Sequence, residues 1–257
     1  MMSPRAIAEG YCRRSWNPVP VPYKTKTPID EDWQLRVITE SDVAAYFNGT
    51  RQNVGVVLGP TSKGLTDVDL DCAEAVRIAP FILPKTNAKF GRPSNPDSHW
   101  LYYSTLAQTL GKSELKLRDP KCPKDKKNTL LEVRVGGDGH GAQTVFPGSV
   151  HESGEPITWS EEGEPATVAD NELLRFGRLV AALSLLARYW PGEGARHDVA
   201  LTVGGFLARC RFKAPYVGLY VEAGPRSQIT KHATGSRLPR MQPATISKIS
   251  RRAAFPS

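Results

Sequence analysis

The segment Leu65–Asp71, with the sequence LTDVDLD, constrains the fold of this chain more than any other stretch of its 257 residues. Acidic and apolar side chains alternate along it, and a period of two is that of a β-strand. Asp67, Asp69 and Asp71 therefore share one face, while the residues between them point into a core. Neighbouring carboxylates repel one another unless cations neutralise them, and Mg²⁺ prefers such oxygen ligands. The segment predicts either a divalent-metal site or a solvent-facing acidic edge strand.

A second alternating segment, Leu130–Val135, has the sequence LLEVRV and also predicts a strand. Glu132 and Arg134 share one of its faces, and apolar residues occupy the other. An acid and a base on a strand that is otherwise of the buried type indicate a functional site. The alternative is a cross-strand ion pair, which is common in sheets and contributes little to stability.

Short elements joined by turns are predicted for the rest of the first 165 residues. Val54–Leu58 is expected to form a hairpin with the acidic strand through the turn at 59–64. A short helix from about residue 73 is expected to end before Pro80. Lys112–Lys127 is expected to be a surface loop and 160–165 a linker. The other predicted elements are an extended segment at 16–28, a helix at 39–47, and strands at 100–103 and 144–146.

The C-terminal third has a different pattern. Glu172–Trp190 and Arg196–Cys210 carry apolar residues at helical spacing and predict a helical hairpin. The predicted organisation is therefore a main domain at 1–165, a helical unit at 170–215 and a basic tail at 216–257. The tail's composition is equally typical of a disordered end.

The net charge of +8 is concentrated near the C-terminus, because residues 204–257 contain ten Lys or Arg and one acid, Glu222. Such a region attracts phosphates, whereas the main domain is near neutral. The four cysteines have no CxxC spacing and predict neither a zinc site nor a disulfide framework. The sequence has no apolar run long enough to span a membrane and no signal-peptide pattern, which predicts a cytoplasmic protein.

Several polar fragments flank the predicted strands. Ser98 and His99 precede WLYY, Arg92 lies in FGRPS, Ser149 lies in PGSVH, and Lys26 precedes a proline. A lone histidine is more often a structural residue than a functional one, and each fragment alone is weak. Their order along the chain is more specific.

In that order the segments resemble the primase-polymerase domain of the archaeo-eukaryotic primase superfamily, in its phage and plasmid form. The resemblance covers about residues 10–160. Ser98 and His99 are adjacent here, whereas the family's motif has a residue between its serine and histidine. The segments that carry the resemblance are WNPVP from Trp16, KTP from Lys26, NVGVVLG from Asn53, GLTDVDLD from Gly64, Ser98-His99, Glu132-Val-Arg134 and TVFPGSVH from Thr144.

The resemblance implies an α+β fold, in which a modified RRM-like antiparallel sheet is followed by a small helical unit. It implies a template-directed nucleotidyl transferase, a DNA primase or polymerase, that uses two Mg²⁺ or Mn²⁺ ions. The family's acid pair falls on Asp69 and Asp71 and its third acid on Glu132, with Asp67 as the alternative if the register slips by two residues. His99 completes the implied catalytic set.

Binding roles follow from the same resemblance. His99 and Ser98 would contact the incoming NTP or dNTP, and further phosphate-binding candidates are Arg134, Lys26, Arg92 and Ser149. The implied partners are a single-stranded DNA template and, because the chain has no GxxxxGK[ST] motif, a separate replicative helicase. The setting would be replication of a phage, plasmid or integrated element.

Two other functions fit parts of the sequence. A metal-dependent nuclease also needs clustered acids, but the second strand then commonly offers a lysine where this chain has Arg134, a poor base. A non-catalytic RRM-like protein that binds single-stranded nucleic acid would need exposed aromatic residues on its central strands. Asp69, Asp71 and Glu132 occupy those positions instead.

Overall fold

The computed structural model describes residues 2–49, 51–123, 128–137, 141–192 and 194–209. Within these ranges it contains six α-helices and ten β-strands. The helices are α1 (Pro4–Arg13), α2 (Val43–Tyr46), α3 (Ala73–Ile82), α4 (Leu106–Thr109), α5 (Asp170–Arg188) and α6 (Arg196–Arg209). The strands are β1 (Asn17–Pro22), β2 (Gln52–Val57), β3 (Leu65–Leu70), β4 (Ala88–Arg92), β5 (Asn95–Tyr103), β6 (Glu114–Arg118), β7 (Thr129–Arg134), β8 (Gln143–Val145), β9 (Thr158–Glu162) and β10 (Ala166–Thr167).

The strands form two sheets. The smaller sheet has the order β1-β2-β8 and is antiparallel. The larger sheet has the order β6-β7-β3-β5-β4-β9, also antiparallel, and β10 adds a short parallel pairing to β5. The prediction of a mixed architecture of helices and antiparallel sheet is therefore confirmed.

Strand β1 lies at one edge of the smaller sheet and reads NPVPVP. Proline cannot donate a backbone hydrogen bond, so it is tolerated on edge strands and excluded from central ones. Between the prolines, Val19 and Val21 pack with Val57 of β2 in a small apolar cluster.

The main core contains residues from both sheets. Val54 and Val56 of β2 belong to the same buried cluster as Leu65 of β3 and Leu101 of β5. Aromatic rings fill the centre of this cluster, and their edge-to-face and tilted contacts suit the ring quadrupoles. The packed rings are Tyr11, Trp16, Phe90, Phe146 and Trp159.

The other face of the larger sheet is covered by helices. Helix α3 contacts β3 and β5. In the first part of α5, a Cβ on Gly177 would lie 3.6 Å from the side chains of Leu131 and Val133, in ordinary van der Waals contact. Acidic strand residues therefore belong to the face that these helices leave uncovered.

Several local predictions were wrong. Strands β2 and β3 do not form a hairpin, because only an isolated bridge joins Gly59 to Leu65 and β3 joins the other sheet. The turn between them has positive φ angles at Gly59 and Gly64. Residues 114–118 are not a loop but strand β6, and 158–162 form strand β9 at the opposite edge. Helix α3 continues through Pro80 and ends two residues later, at Ile82. Helix α1 and strand β4 were not predicted from the sequence.

The helices after residue 170 were predicted close to their observed bounds. The chain divides into two compact units within α5, between Ala181 and Ala182. The predicted domain limits at 165, 170 and 215 stay predictions, and the tail at 216–257 lies outside the described residues. Among the described residues, no helix is long and apolar enough to cross a membrane.

Candidate metal and nucleotide site

Strand β3 is central in the larger sheet, and its pairing brings the predicted site residues together. Asp69 lies opposite Glu132 of β7 on one side and opposite His99 of β5 on the other. Asp67 lies opposite Arg134. Directly opposed residues of antiparallel strands share a face, so these side chains all project from the same side of the sheet.

Three carboxylates converge at the end of β3. Asp69, Asp71 and Glu132 each offer an oxygen, and these oxygens lie within 4.8 Å of one another. Asp69 and Glu132 are buried, with 8% and 7% of their surface exposed, whereas Asp71 is open to solvent. Carboxylate oxygens at this spacing form a donor set that fits a hard divalent cation such as Mg²⁺ or Mn²⁺.

Cationic side chains also surround the carboxylates. Arg134 places Nη2 2.9 Å from Oδ2 of Asp69 and Nε 2.9 Å from Oε2 of Glu132. Lys116 of β6 lies 3.3 Å from the other oxygen of Glu132. Charge-assisted contacts of this kind offset part of the repulsion among the buried acids.

Burial and the remaining repulsion among the acids both raise pKa values in the cluster. Although the residue as a whole is exposed, partial burial of its carboxyl group and the charges of Asp69 and Glu132 together raise the pKa of Asp71 to about 7. The pKa of Asp69 is also raised, mainly by burial. The cluster therefore resists full ionisation at neutral pH, and a bound divalent cation would relieve this resistance.

Asp67 has a different environment from its neighbours. Its side chain is fully buried, and its carboxylate accepts hydrogen bonds from Thr144 Oγ1 at 2.7 Å and from His99 Nδ1 at 3.0 Å. Although burial raises the pKa of Asp67, His99 lowers it below its usual value overall. The three-carboxylate cluster does not include Asp67, so the arrangement favours the Asp69–Asp71 register.

Two contacts fix the ring of His99. Nδ1 is engaged by Asp67, and the ring stacks on Phe90 with centroids 4.5 Å apart and planes 12° from parallel. Burial lowers the pKa of His99, but Asp69 and Asp67 outweigh it and raise the pKa overall. The remaining ring nitrogen, Nε2, is then the atom that can form a hydrogen bond with a ligand in the adjacent cleft.

A cleft of about 330 Å³ adjoins the carboxylates. Of the predicted binding residues, Ser98, His99, Arg134, Lys26 and Arg92 line it. The rest of its lining is Thr25, Asp69, Asp71, Gly91, Asn95, Thr129, Gln143, Thr144, Val145, His151 and Ile157. A cavity of this size, with converging cations at its walls, fits a phosphorylated small molecule.

Ser149 is not part of this cleft. Its buried hydroxyl accepts a hydrogen bond from the N–H of Val54 at 2.8 Å and donates one to the carbonyl of Val54 at 3.2 Å. The side chain therefore joins its loop to β2, and the structure does not bring it to the other predicted binding residues.

Three residues at or near the site were not predicted from the sequence. Thr144 and His151 line the cleft, and Lys116 contacts Glu132. Burial lowers the pKa of His151, and Lys26 and Arg92 lower it further, which favours the neutral ring. Signals existed for two of them, since His151 ends the PGSVH block and Lys116 lies between alternating leucines.

An antiparallel sheet that carries clustered carboxylates beside a cationic cleft is typical of metal-dependent enzymes that act on phosphate esters. A family model, the N-terminal domain of bifunctional DNA primase/polymerase, matches residues 8–171. The match covers more than half of the chain, so the protein belongs to this family. No curated protein matches the sequence.

Membership confirms the resemblance seen in the sequence and indicates primase or polymerase activity, with DNA and nucleotides as substrates. It also indicates a nucleotidyl-transferase enzyme. Neither the nuclease nor the non-catalytic binding protein is favoured by this match.

Proposed function

We propose that the protein is a template-directed DNA primase or polymerase that joins nucleotides on single-stranded DNA with two divalent metal ions. The observation that carries the proposal is the convergence of Asp69, Asp71 and Glu132 oxygens within 4.8 Å at the edge of a cationic cleft. The fold we assign to residues 1–165 is a modified RRM-like primase core.

Each proposed residue has a distinct part. Asp69, Asp71 and Glu132 would hold Mg²⁺ or Mn²⁺, which when bound would lower the pKa of a 3′-hydroxyl and neutralise charge on the transferred phosphate. His99, oriented by Asp67, would donate from Nε2 to the triphosphate. Arg134 would exchange part of its contact with Asp69 for a phosphate oxygen once metal neutralises that acid.

Lys26 and Arg92 would complete the phosphate contacts from the cleft walls. Both are held by carboxylates, Lys26 by Glu152 at 3.1 Å and Arg92 by Glu155 at 3.7 Å. The Lys26–Glu152 pair is exposed and contributes little energy, so a triphosphate can displace it at small cost. The Arg92–Glu155 pair is half-buried, but its atoms are farther apart. Ser98 would assist from the start of β5. A separate helicase would open duplex DNA during replication of a phage, plasmid or integrated element.

The test is synthesis on single-stranded DNA with labelled NTPs or dNTPs, with and without a primer. Asp69→Ala should abolish incorporation in Mg²⁺ and in Mn²⁺, while the protein still binds DNA and melts cooperatively. Glu40→Gln removes an exposed acid paired with Arg13 and should leave synthesis unchanged. Synthesis near the wild-type rate in Asp69→Ala would refute the metal role, and cleavage of the DNA in place of synthesis would favour the nuclease.

A further inference from the structure

An exposed aromatic ring flanked by cations lies beside the cleft. Tyr23 follows β1 and Arg51 precedes β2, and the pairing of Pro22 with Gln52 brings these two residues together. The Tyr23 ring has Lys24 Nζ 5.6 Å and Arg51 Cζ 5.9 Å from its centroid. The tyrosine is 38% exposed, so part of its side chain is accessible to a ligand.

The two flanking cations are available for binding. Among the residues that the structure describes, neither Lys24 nor Arg51 forms a salt bridge, whereas Lys26 pairs with Glu152 at 3.1 Å. A cation outside any salt bridge can bind a phosphate without first giving up a carboxylate partner. Its counterions are then released when a polyanion binds.

The segment that carries Tyr23 is anchored to the cleft wall. The N–H of Thr25 donates to the carbonyl of Pro22 at 3.0 Å, and Asn53 Nδ2 donates to the carbonyl of Thr25 at 3.3 Å. Gln143, a cleft residue, donates to the carbonyl of Lys26. Thr25 and Lys26 themselves line the cleft. The turn that carries Tyr23 and Lys24 is therefore joined directly to two residues of the cleft wall.

We propose that Tyr23, Lys24 and Arg51 form a docking surface for single-stranded DNA that leads into the cleft. A base of an unpaired strand would stack on Tyr23, and the two cations would bind the adjacent phosphates, because stacking combined with a cationic track is how single strands are bound without sequence preference. A duplex would not present the face of a base to the ring. The inference rests on the proposed function only for the choice of DNA as the partner.

The experiment is fluorescence anisotropy of a labelled oligo-dT with the full chain in EDTA, at about 50 mM and about 200 mM salt. Tyr23→Ala should weaken binding about tenfold at both concentrations, since stacking depends little on salt. Tyr23→Phe should bind like the wild type. Lys24→Ala and Arg51→Ala should each lower the salt slope by about 0.7.

Matched controls use Phe81→Ala, which removes another exposed ring, and Lys112→Ala, which removes another exposed cation. Neither should alter binding. On a base-free deoxyribose-phosphate oligomer, Tyr23→Ala should bind like the wild type, because there is no base to stack.

Three results would overturn the proposal. One is Tyr23→Ala binding within twofold of the wild type, another is an equal loss in Phe81→Ala, and the third is equally tight, Tyr23-dependent binding of a polyglutamate peptide. Because metal and nucleotide are absent from the assay, a failure of synthesis leaves this result standing.

Discussion

The face of the larger sheet that points away from α3 and α5 has two halves that share strands but not chemistry. In one half, Leu65 and Leu101 are completely buried in the core between the sheets. In the other half, Asp69 and Glu132 converge on the cleft. The boundary falls at Asp67, which lies opposite Leu101 but is hydrogen-bonded to the cleft histidine. On β3, the core residue Leu65 is thus two residues from the boundary at Asp67 and four residues from the site residue Asp69.

The packed core half explains how the acids are kept in position. The core half holds β3 and β5 in register. Because the cleft half lies on the same two strands, the backbone that carries its acids is held in place as well. Its carboxylates can then remain close together although their charges oppose it. The two halves should respond oppositely to substitution, and the following predictions test that division.

Glu132→Gln should give the largest effect. It removes one carboxylate of the cluster while keeping the shape, and lost metal stabilisation of several kcal/mol predicts a fall in incorporation of about a thousandfold or more. The melting temperature should change little. Measured rates of nucleotide incorporation and thermal melting on the same sample decide the outcome, and a rate within tenfold of the wild type would contradict it.

Leu101→Ala should have the opposite profile. The side chain is fully buried, and its truncation should cost about 3 kcal/mol, equivalent to about 10 °C in melting temperature. Incorporation per folded molecule, measured well below the transition, should stay within about threefold of the wild type. A larger loss of activity in the folded protein would show that the core half also shapes the site.

Asp67→Asn tests the boundary itself. The amide keeps the size but loses the charge-assisted acceptor for His99, which predicts a loss of about tenfold to a hundredfold. The loss should appear in KM for the nucleotide more than in kcat. Thr144→Val removes the other hydrogen bond to Asp67 and should give a smaller loss of the same kind. An unchanged KM in both variants would exclude the role of Asp67 in orienting His99.

Asp71→Asn should give the smallest effect, on stability. The folded-state pKa of Asp71 is raised to about 7 from an ordinary value of 3.8, so the folded protein binds a proton more tightly than the unfolded chain. Stability from this group is complete below pH 3.8 and is lost as the pH rises toward 7. In EDTA the variant should therefore melt higher than the wild type at pH 8 and equally near pH 4. Lower melting at pH 8 would contradict the raised pKa of Asp71.

Sequence patterns predicted the acidic face because alternation is a local property. Asp69, Asp71 and Glu132 had to share faces once each strand formed, and only the pairing of the two strands was left to the fold. The patterns failed where distant partners decide the structure. Strand β6 carries alternating Leu115 and Leu117, but its flanking prolines and lysines gave the composition of a loop until β7 supplied a partner.

Binding residues were harder to predict than acids. Ser149 has the residue type of a phosphate ligand, but the backbone of Val54 uses its hydroxyl. The hairpin prediction failed for a related reason, since the strands on either side of the turn at Gly59 and Gly64 pair into different sheets. Neither result follows from spacing, because both depend on which groups the folded chain brings into contact.

The alternating prolines of β1 have a consequence for how copies of the protein behave at high concentration. An exposed sheet edge with free N–H groups is a template on which another chain can add a strand and aggregate. Pro18, Pro20 and Pro22 remove half of the donors of this strand. The smaller sheet therefore ends at β1, and this edge is protected against the strand addition that would otherwise join one molecule to the next.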